Sequence, residues 1–223
     1  ECPYKSPTDM GVNMAGLGIV DDEACCEAAR MEIVRRYFQT AVEVKRTGVG
    51  EEQVEKLELL MNKAEVTPSV MRARSAALLK EETTGHPAGA MVLPDGHVVT
   101  GKTSTLLGAA SSLLMNALKG VSGVDDAIDV ISDSVIKPIC HLKTDHLQSK
   151  NPRLHSDETL IALAVSSEDD ELADRLMDHV QDLRGCDAFF SVIISSQDET
   201  LYRTLGINVC CEPKYEQHRY YHK

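Results

Sequence analysis

The spacing of apolar and polar residues divides the chain into a helical first part and a mixed second part. Apolar residues recur at helical intervals over 21–46, 51–64 and 68–82. Asp21 and Asp22 stand at the start of the first run, where negative charge suits the positive end of a helix dipole. The pattern therefore predicts three helices with no strand between them.

The pattern changes after Gly85, where short β-branched runs begin to alternate with helical ones. Residues 88–93 and 97–100 flank a Pro-Asp-Gly turn, which indicates a β-hairpin. The remaining predicted elements are a helix at 105–119, a strand at 127–131, helices at 134–148, 157–167 and 168–183, a strand at 188–194, a helix at 198–205 and a strand at 207–211. Such alternation is typical of a parallel sheet with helices on both faces.

These elements predict an α/β fold with two parts. We expect a three-layer α/β/α sandwich over residues 85–214, with a mixed, mostly parallel sheet of about five strands and the hairpin at its edge. Residues 1–84 would form a loop and helical lead-in that links the sandwich to another part of the protein, and residues 215–223 a polar tail.

Composition and charge limit the possible partners and the compartment. The net charge of -12 over 223 residues disfavours nonspecific binding to nucleic acid and to anionic membranes. No apolar stretch approaches the roughly 20 residues that a membrane helix needs. The seven cysteines are odd in number and lack a C-x-x-C pair, which favours reduced thiols in the cytoplasm. We expect Cys186, Cys210 and Cys211 to be buried as small apolar groups.

The segment from Gly101 to Ser104 is the first candidate for anion binding. Gly96 to Thr103 matches the phosphate-loop pattern G-x-x-x-x-G-K-[ST], but its central residues are typical of a strand. In place of a full phosphate loop we consider a smaller site, in which N–H groups at the start of the next helix act together with Lys102, Thr103 and Ser104. The alternative is a capped helix with a solvated lysine.

The segment from Asn151 to Glu158 is the second candidate, because it is rich in functional groups just before an apolar helix. Arg153 can clamp an anion through two guanidinium N–H groups, with Asn151 beside it. His155 can donate or accept a proton, and Glu158 is the other candidate catalytic residue. The alternative is helix capping by the neighbouring serine and acids, which requires neither Arg153 nor His155.

Three further polar residues are assigned to the anion site. Lys143 lies on a predicted helix that we interpret as a surface helix. His141 and Asp145 on that helix lack a third metal ligand at useful spacing, so we predict no metal site. Lys5 and Asn13 belong to a polar loop that forms either a pocket wall or an ordered connection to a preceding part.

Five strings in the chain carry a family resemblance. They are PYKSPTDMGVN at 3–13, TGKTS at 100–104, HLKT at 141–144, NPRLH at 151–155 and LRGC at 183–186. In this order they resemble the C-terminal half of the bacterial family called domain of unknown function 1846, or uncharacterised protein family 0371. The resemblance implies a longer protein whose preceding half carries a glycine-rich loop for a nucleotide. It implies no particular activity.

The order of elements is also similar to the cytidine-deaminase-type sandwich. Those enzymes hold zinc through two motifs. The first is a His or Cys followed by Ala-Glu, at the start of the helix after the hairpin, and the second is Pro-Cys-x-x-Cys at the next helix. The corresponding positions here are Leu106 to Ala110, without a zinc ligand, and Lys137 to His141, with Cys140 as the single cysteine. If the fold is shared, we therefore expect no zinc.

Two functions remain open. In the first, the loops at 101–105 and 151–158 converge on a phosphate or carboxylate at the carboxyl ends of the strands, in a nucleotide- or phosphate-using enzyme of transferase or ligase type. In the second, a non-catalytic, metal-free domain serves oligomerisation or regulation, with the helices at 105–119 and 157–167 as a subunit interface. The residues do not decide whether the chain is an enzyme.

The expected partners follow from these two functions. They are a small anionic ligand, further copies of the chain in a homo-oligomer, and a preceding half of the same protein. The last expectation arises because the chain begins at Glu1 and not at a methionine, which we interpret as a fragment of a larger protein. A nucleotide would bind through that preceding half.

Overall fold

Asp21 caps the first helix of the structure. Its side chain accepts a hydrogen bond from the backbone N–H of Ala24 at 2.9 Å, which satisfies one of the unpaired donors of a helix start. The structure is a computed structural model and describes residues 21–216. The chain divides into two compact units, Glu1–Met71 and Arg72–Lys223.

The described part of the first unit is helical, as the apolar spacing predicts. Helices α1 (Asp22–Thr47) and α2 (Glu51–Lys63) contact each other, and a 3-10 turn follows at Pro68–Val70. Gly48 ends α1 with φ at 72°, a left-handed conformation that favours glycine. The buried apolar side chains of the two helices are Ile33, Val34, Phe38, Val42 and Met61.

The second unit alternates helices and strands. Its helices are α3 (Arg72–Thr84), α4 (Ala109–Ser122), α5 (Asp133–His141), α6 (Ser156–Ser166), α7 (Glu171–Asp178) and α8 (Ser196–Thr204). Its strands are β1 (Ala88–Val92), β2 (Val98–Lys102), β3 (Asp187–Phe190) and β4 (Asn208–Cys211). A π-helical turn at Leu142–His146 follows α5, and a 3-10 turn at Val180–Leu183 follows α7.

The strand directions bring three carboxyl ends together. In the described residues the sheet has the order β2-β1-β3-β4, with β1 antiparallel to both neighbours and β3 parallel to β4. β2, β3 and β4 therefore run in one direction and end at the same end of the sheet. The predicted α/β sandwich with an edge hairpin is confirmed, with a four-stranded sheet.

Helices cover the sheet closely. A Cβ atom on Gly101 would lie 2.3 Å from the backbone nitrogen of Leu113, so glycine at this position lets α4 lie directly on β2. α3 contacts β1, β2 and β3 and supplies the other helical layer. The sequence pattern puts residues 72–84 in the lead-in, whereas α3 belongs to the second unit.

The predicted strand at 127–131 is wrong, because this segment is a loop. The carboxylate of Asp125 accepts the N–H of Ala127 at 2.8 Å, and the Asp125 carbonyl accepts the N–H of Ile128 at 3.1 Å. This local turn uses the backbone donors that a strand would pair. Val130 and Ile131 are nevertheless buried, so the apolar run reflects burial and not a β conformation.

Two further observations concern the apolar residues. Cys186, Cys210 and Cys211 are buried, as predicted. Within residues 21–216, no helix combines the length and apolar character needed to cross a membrane.

Candidate functional site

Three helices begin close together at the carboxyl end of the sheet. The loop after β2 and the loop before α6 join in a parallel bridge between Leu107 and Leu154. The N–H of Leu154 donates to the carbonyl of Leu106 at 2.8 Å, and the N–H of Gly108, the N-cap of α4, donates to the carbonyl of Leu154 at 3.3 Å. These bonds hold the start of α4 beside the start of α6.

Asp198 connects the start of α6 to the start of α8. Its Oδ1 accepts hydrogen bonds from the N–H and the hydroxyl of Ser156, at 2.8 and 2.7 Å. Its Oδ2 accepts from the hydroxyl of Ser195 at 2.7 Å and lies 3.2 Å from Nδ1 of His155. Asp198 is 6% exposed. We refer to His155, Ser156, Ser195 and Asp198 as the His155 cluster.

The surroundings of the His155 cluster favour its charged forms. Burial raises the pKa of Asp198, but hydrogen bonds from His155, Ser156 and Ser195 outweigh this effect and lower the pKa overall. The hydrogen bond to Asp198 raises the pKa of His155, against the opposing effects of burial and of the positive charge of Lys143. The pair therefore favours a carboxylate beside an imidazolium.

The hydroxyl of Ser195 is not arranged as a nucleophile. It lies 3.4 Å from Nδ1 of His155, the same ring nitrogen that faces Asp198. In a nucleophilic triad the hydroxyl and the carboxylate face opposite ring nitrogens. Ser195 is also the N-cap of α8, since its hydroxyl accepts the N–H of Asp198 at 3.1 Å. The cluster is therefore suited to proton transfer or charge stabilisation.

Lys143 and Glu158 support the cluster from inside the protein. The Lys143 ammonium donates to Oε2 of Glu158 and to the carbonyl of Arg153, both at 2.6 Å. The same Glu158 oxygen accepts the N–H of His155 at 2.8 Å, as in a capping box. Lys143 is 6% exposed, so its side chain lies on the buried side of the predicted surface helix. The catalytic role of Glu158 stays a prediction, beside this observed capping role.

Asn151 and Arg153 add donors next to the cluster. The side-chain oxygen of Asn151 accepts the N–H of Arg153 at 3.1 Å. Asn151 is 5% exposed, and its Nδ2 has no hydrogen-bond partner among the described residues. An unpaired buried donor costs about 1–3 kcal/mol, and a water molecule or a ligand that accepts from it removes this cost. Nη1 of Arg153 lies 3.4 Å from Oε1 of Glu216.

A small cavity of about 30 Å³ lies at the starts of α4 and α8. Thr103, Gly108, Ser195, Asp198 and Glu216 are among the residues that line it. The positive ends of two helix dipoles therefore point at the cavity. Two carboxylates, Asp198 of α8 and Glu216 of the tail, also line it.

The predicted residues after β2 divide between two cavities. Thr103 lines the small cavity, whereas Lys102 and Ser104 line a separate groove of about 540 Å³ beside α4. This groove also holds Asn116 and the buried Lys119, which donates to the carbonyl of Asp126 at 2.9 Å. Proximity of Lys102 to Arg153 is therefore not observed, and its anion-binding role stays a prediction.

The backbone of the predicted Gly101–Ser104 site is already paired. The N–H of Thr103 donates to Pro87, and that of Ser104 donates to Leu107, at 2.8 and 2.9 Å. Gly101 lies within β2, and α4 begins only at Ala109 because Ser104 and Leu107 form a turn. The phosphate-loop pattern is thus the second strand of a hairpin.

Two predicted residues, Lys5 and Asn13, lie outside the described residues. Within 21–216, no group of three or more His, Cys, Asp or Glu side chains is arranged to hold a metal ion.

The sequence analysis missed Asp198, Ser195 and Glu216. The one available signal was a serine three residues before an acid, Ser195 and Asp198, which indicates a helix cap. Nothing in that pattern pairs Asp198 with a histidine 43 positions earlier.

Family models match almost the whole chain. The model described as "Domain of unknown function DUF1846, C-terminal" matches residues 69–221, and the one described as "Domain of unknown function DUF1846, N-terminal" matches residues 1–65. The resemblance to the C-terminal half alone is therefore corrected, because the match extends into the family's N-terminal domain. The predicted likeness to deaminases receives no support from these models.

Relatives in several bacteria are similar over the full chain. UPF0371 proteins of Corynebacterium glutamicum (strain R) and Streptococcus pneumoniae (strain Hungary19A-6) are 49% and 47% identical over 221 residues, or 99% of the chain. The UPF0371 protein of Corynebacterium diphtheriae is 48% identical over all 223 residues. The chain spans 45% of the length of each of these relatives.

Proposed function

We propose that this chain, which belongs to the DUF1846 (UPF0371) family, binds a small anion at the carboxyl end of its sheet and exchanges a proton with it through His155. The observation that carries the proposal is the buried pair of His155 and Asp198, placed where α4, α6 and α8 begin. Perturbed titratable groups at converging helix starts are typical of functional sites.

Arg153 and Asn151 are the anion-binding residues in this proposal. Guanidinium N–H groups match the geometry of carboxylate and phosphate oxygens. The unpaired Nδ2 of Asn151 would gain a partner from the ligand, which removes the penalty of an unsatisfied buried donor. Helix dipoles at the same place add a favourable potential for negative charge.

His155 is the proton-transfer residue, and Asp198 is the residue that orients it. Because Nδ1 faces Asp198, the imidazole would exchange its proton through Nε2. The raised pKa of His155 favours the imidazolium, which suits a general acid facing an anion. Lys143 and Glu158 fix the backbone of His155 and so position the ring indirectly.

The proposal concerns a site and not a complete reaction. Because the chain spans 45% of its relatives, an activity of transferase or ligase type and a nucleotide are hypotheses about the whole family protein. A homo-oligomer and a cytoplasmic location likewise remain expectations from the sequence.

Titration with inorganic phosphate and with acetate tests the proposal. We expect either anion to shift the amide NMR signals at the starts of α6 and α8. The substitution Arg153→Met should weaken binding about tenfold, since hydrogen bonds to charged groups contribute about 1.5–3 kcal/mol. Arg203→Met is the matched control, because Arg203 pairs with Glu199 on the exposed side of α8 at 2.8 Å.

If neither anion perturbs these signals, or if Arg153→Met binds as well as Arg203→Met, the carboxyl end of the sheet is not an anion site. A thermal melt of each variant separates lost binding from lost folding.

A further inference from the structure

We infer that the ligand of this site presents a carboxylate, and that the side chain of Glu216 fills the place of that carboxylate until the ligand displaces it. The inference rests on the proposed function, since it names the ligand class and a built-in competitor for the same site. Three observations carry it: the burial of Glu216, the geometry of its contact with Arg153, and the carboxylates around the cavity.

The side chain of Glu216 is largely buried. The side chains of Glu216 and Arg153 are 13% and 17% exposed, and Glu216 lines the small cavity together with Ser195 and Asp198. A glutamate in a tail normally stays in water, because burial of a charge is unfavourable without strong compensation. Its position places a carboxylate beside Arg153, at the cavity where α8 begins.

The contact between Arg153 and Glu216 is longer than an ion pair that lies just before the tail. Glu212 accepts from Nε of Arg74 at 2.6 Å, whereas Glu216 lies 3.4 Å from Nη1 of Arg153. A carboxylate held well by arginine makes contacts of about 2.7–2.9 Å, often two of them. A ligand that is not tied to the backbone can therefore reach a better geometry than Glu216 does.

The chain is anchored just before the tail, independently of Glu216. The carbonyl of Lys214 accepts the N–H of Ile193 at 2.8 Å, and the Lys214 ammonium pairs with Glu81 at 2.7 Å. Glu216 follows this anchor by two residues. In our proposal, Glu216 leaves the cavity while Glu212 and Lys214 keep the residues before the tail in place.

The charge of the cavity favours a carboxylate over a phosphate dianion. Asp198 already lines the cavity, and its hydrogen bonds stabilise its ionised form. A second charge of the same sign is unfavourable nearby, and a dianion more so. The volume of about 30 Å³ also leaves little space beside Glu216, so a planar group with two oxygens can replace it with the least rearrangement.

Competition between Glu216 and the ligand has a measurable consequence. Because the competent state is populated only when the tail carboxylate is away, removal of this charge should raise the apparent affinity for acetate, by about tenfold. The variants are Glu216→Gln and a chain that ends after Tyr215. Glu199→Gln is the matched control, since it removes one negative charge from the same end of α8, where Glu199 pairs with Arg203 at 2.8 Å.

The experiment is an NMR titration of the four proteins with acetate and, separately, with inorganic phosphate. We expect acetate to bind more tightly to Glu216→Gln and to the shortened chain, with less than about a twofold change in Glu199→Gln. In the unsubstituted chain, acetate should also shift the amide signal of Glu216.

The possible results separate the two proposals. Equal acetate affinity in the unsubstituted chain and in Glu216→Gln overturns the competition while the anion site stands. A larger gain for phosphate than for acetate overturns the carboxylate assignment. If neither anion binds any of the four proteins, the proposed function itself fails.

Discussion

Two His–Asp pairs of the second unit share one chemistry but differ in their surroundings. His141 ends α5, and Asp145 lies in the turn that follows. Nδ1 of His141 is 2.6 Å from the Asp145 carboxylate, and the two side chains are 77% and 54% exposed. Nδ1 of His155 lies 3.2 Å from Asp198, with side chains 15% and 8% exposed. The shorter contact is thus the exposed one, so distance alone does not identify the functional pair.

The two carboxylates differ in how strongly burial opposes their ionisation. Hydrogen bonds from Thr144 and His141 lower the pKa of Asp145, which stays in water. For Asp198, burial opposes ionisation, and bonds from two helix starts are needed to outweigh it. An exposed pair contributes little to stability, whereas loss of one partner of a buried pair leaves an uncompensated polar group.

The largest expected effect is that of Asp198→Asn. The substitution keeps the shape but removes the charge that joins α6 to α8, so we expect a loss of about 3 kcal/mol in the free energy of unfolding. Asp145→Asn is the matched control, and its change should be much smaller. Urea denaturation measures both, and equal losses would show that burial does not distinguish the pairs.

Lys143→Met should have the next largest effect. It removes two hydrogen bonds of 2.6 Å from a buried ammonium and loosens Glu158, so a loss of about 2 kcal/mol is expected. Lys137→Met provides the control, because Lys137 pairs with Asp133 at 2.8 Å with both side chains 64% exposed. A similar loss in both variants would contradict the structural role given to Lys143.

The pH dependence of stability is a smaller effect with a definite sign. Because the pKa of His155 is raised, its contribution is complete below its ordinary value of about 6.5 and is lost as the pH rises through the folded value. The lowered pKa of Asp198 gives a contribution present above about 3.8 and lost as the pH falls further.

Urea midpoints between pH 5 and pH 9, in steps of about one unit, measure this dependence. The unsubstituted chain should lose stability above about pH 6.5 relative to His155→Gln. The control His141→Gln should follow the unsubstituted chain. A constant difference between the chain and His155→Gln at all pH values would exclude the linkage.

The sequence predicts elements that depend on local spacing. Helical periodicity identifies α1 and α2, and a Pro-Asp-Gly turn between apolar runs identifies the hairpin of β1 and β2. The strand at 127–131 fails because burial of Val130 and Ile131 in a loop produces the same apolar run as a strand. Local patterns report burial more reliably than backbone conformation.

The site depends on contacts that no local pattern contains. Arg153 is recognisable because helix capping does not require it. His155 is a different case, because it is the N-cap of α6 in place of the serine and acids expected from the sequence. Their partners Asp198 and Glu216 come from distant positions and meet them only when α6, α8 and the tail pack on one end of the sheet. Lys102 and Thr103 are neighbours in the sequence but do not share a site. Successive side chains at the end of β2 point to opposite sides, so Lys102 lines a different groove from Thr103.

The most direct test of the central claim is an NMR titration of the His155 imidazole, assigned by comparison with His155→Gln, with and without acetate. We expect the pKa of His155 to lie above the ordinary value of about 6.5, to fall in Asp198→Asn, and to rise when acetate binds. A His155 that titrates at or below that value, and that responds neither to acetate nor to Asp198→Asn, would contradict the account.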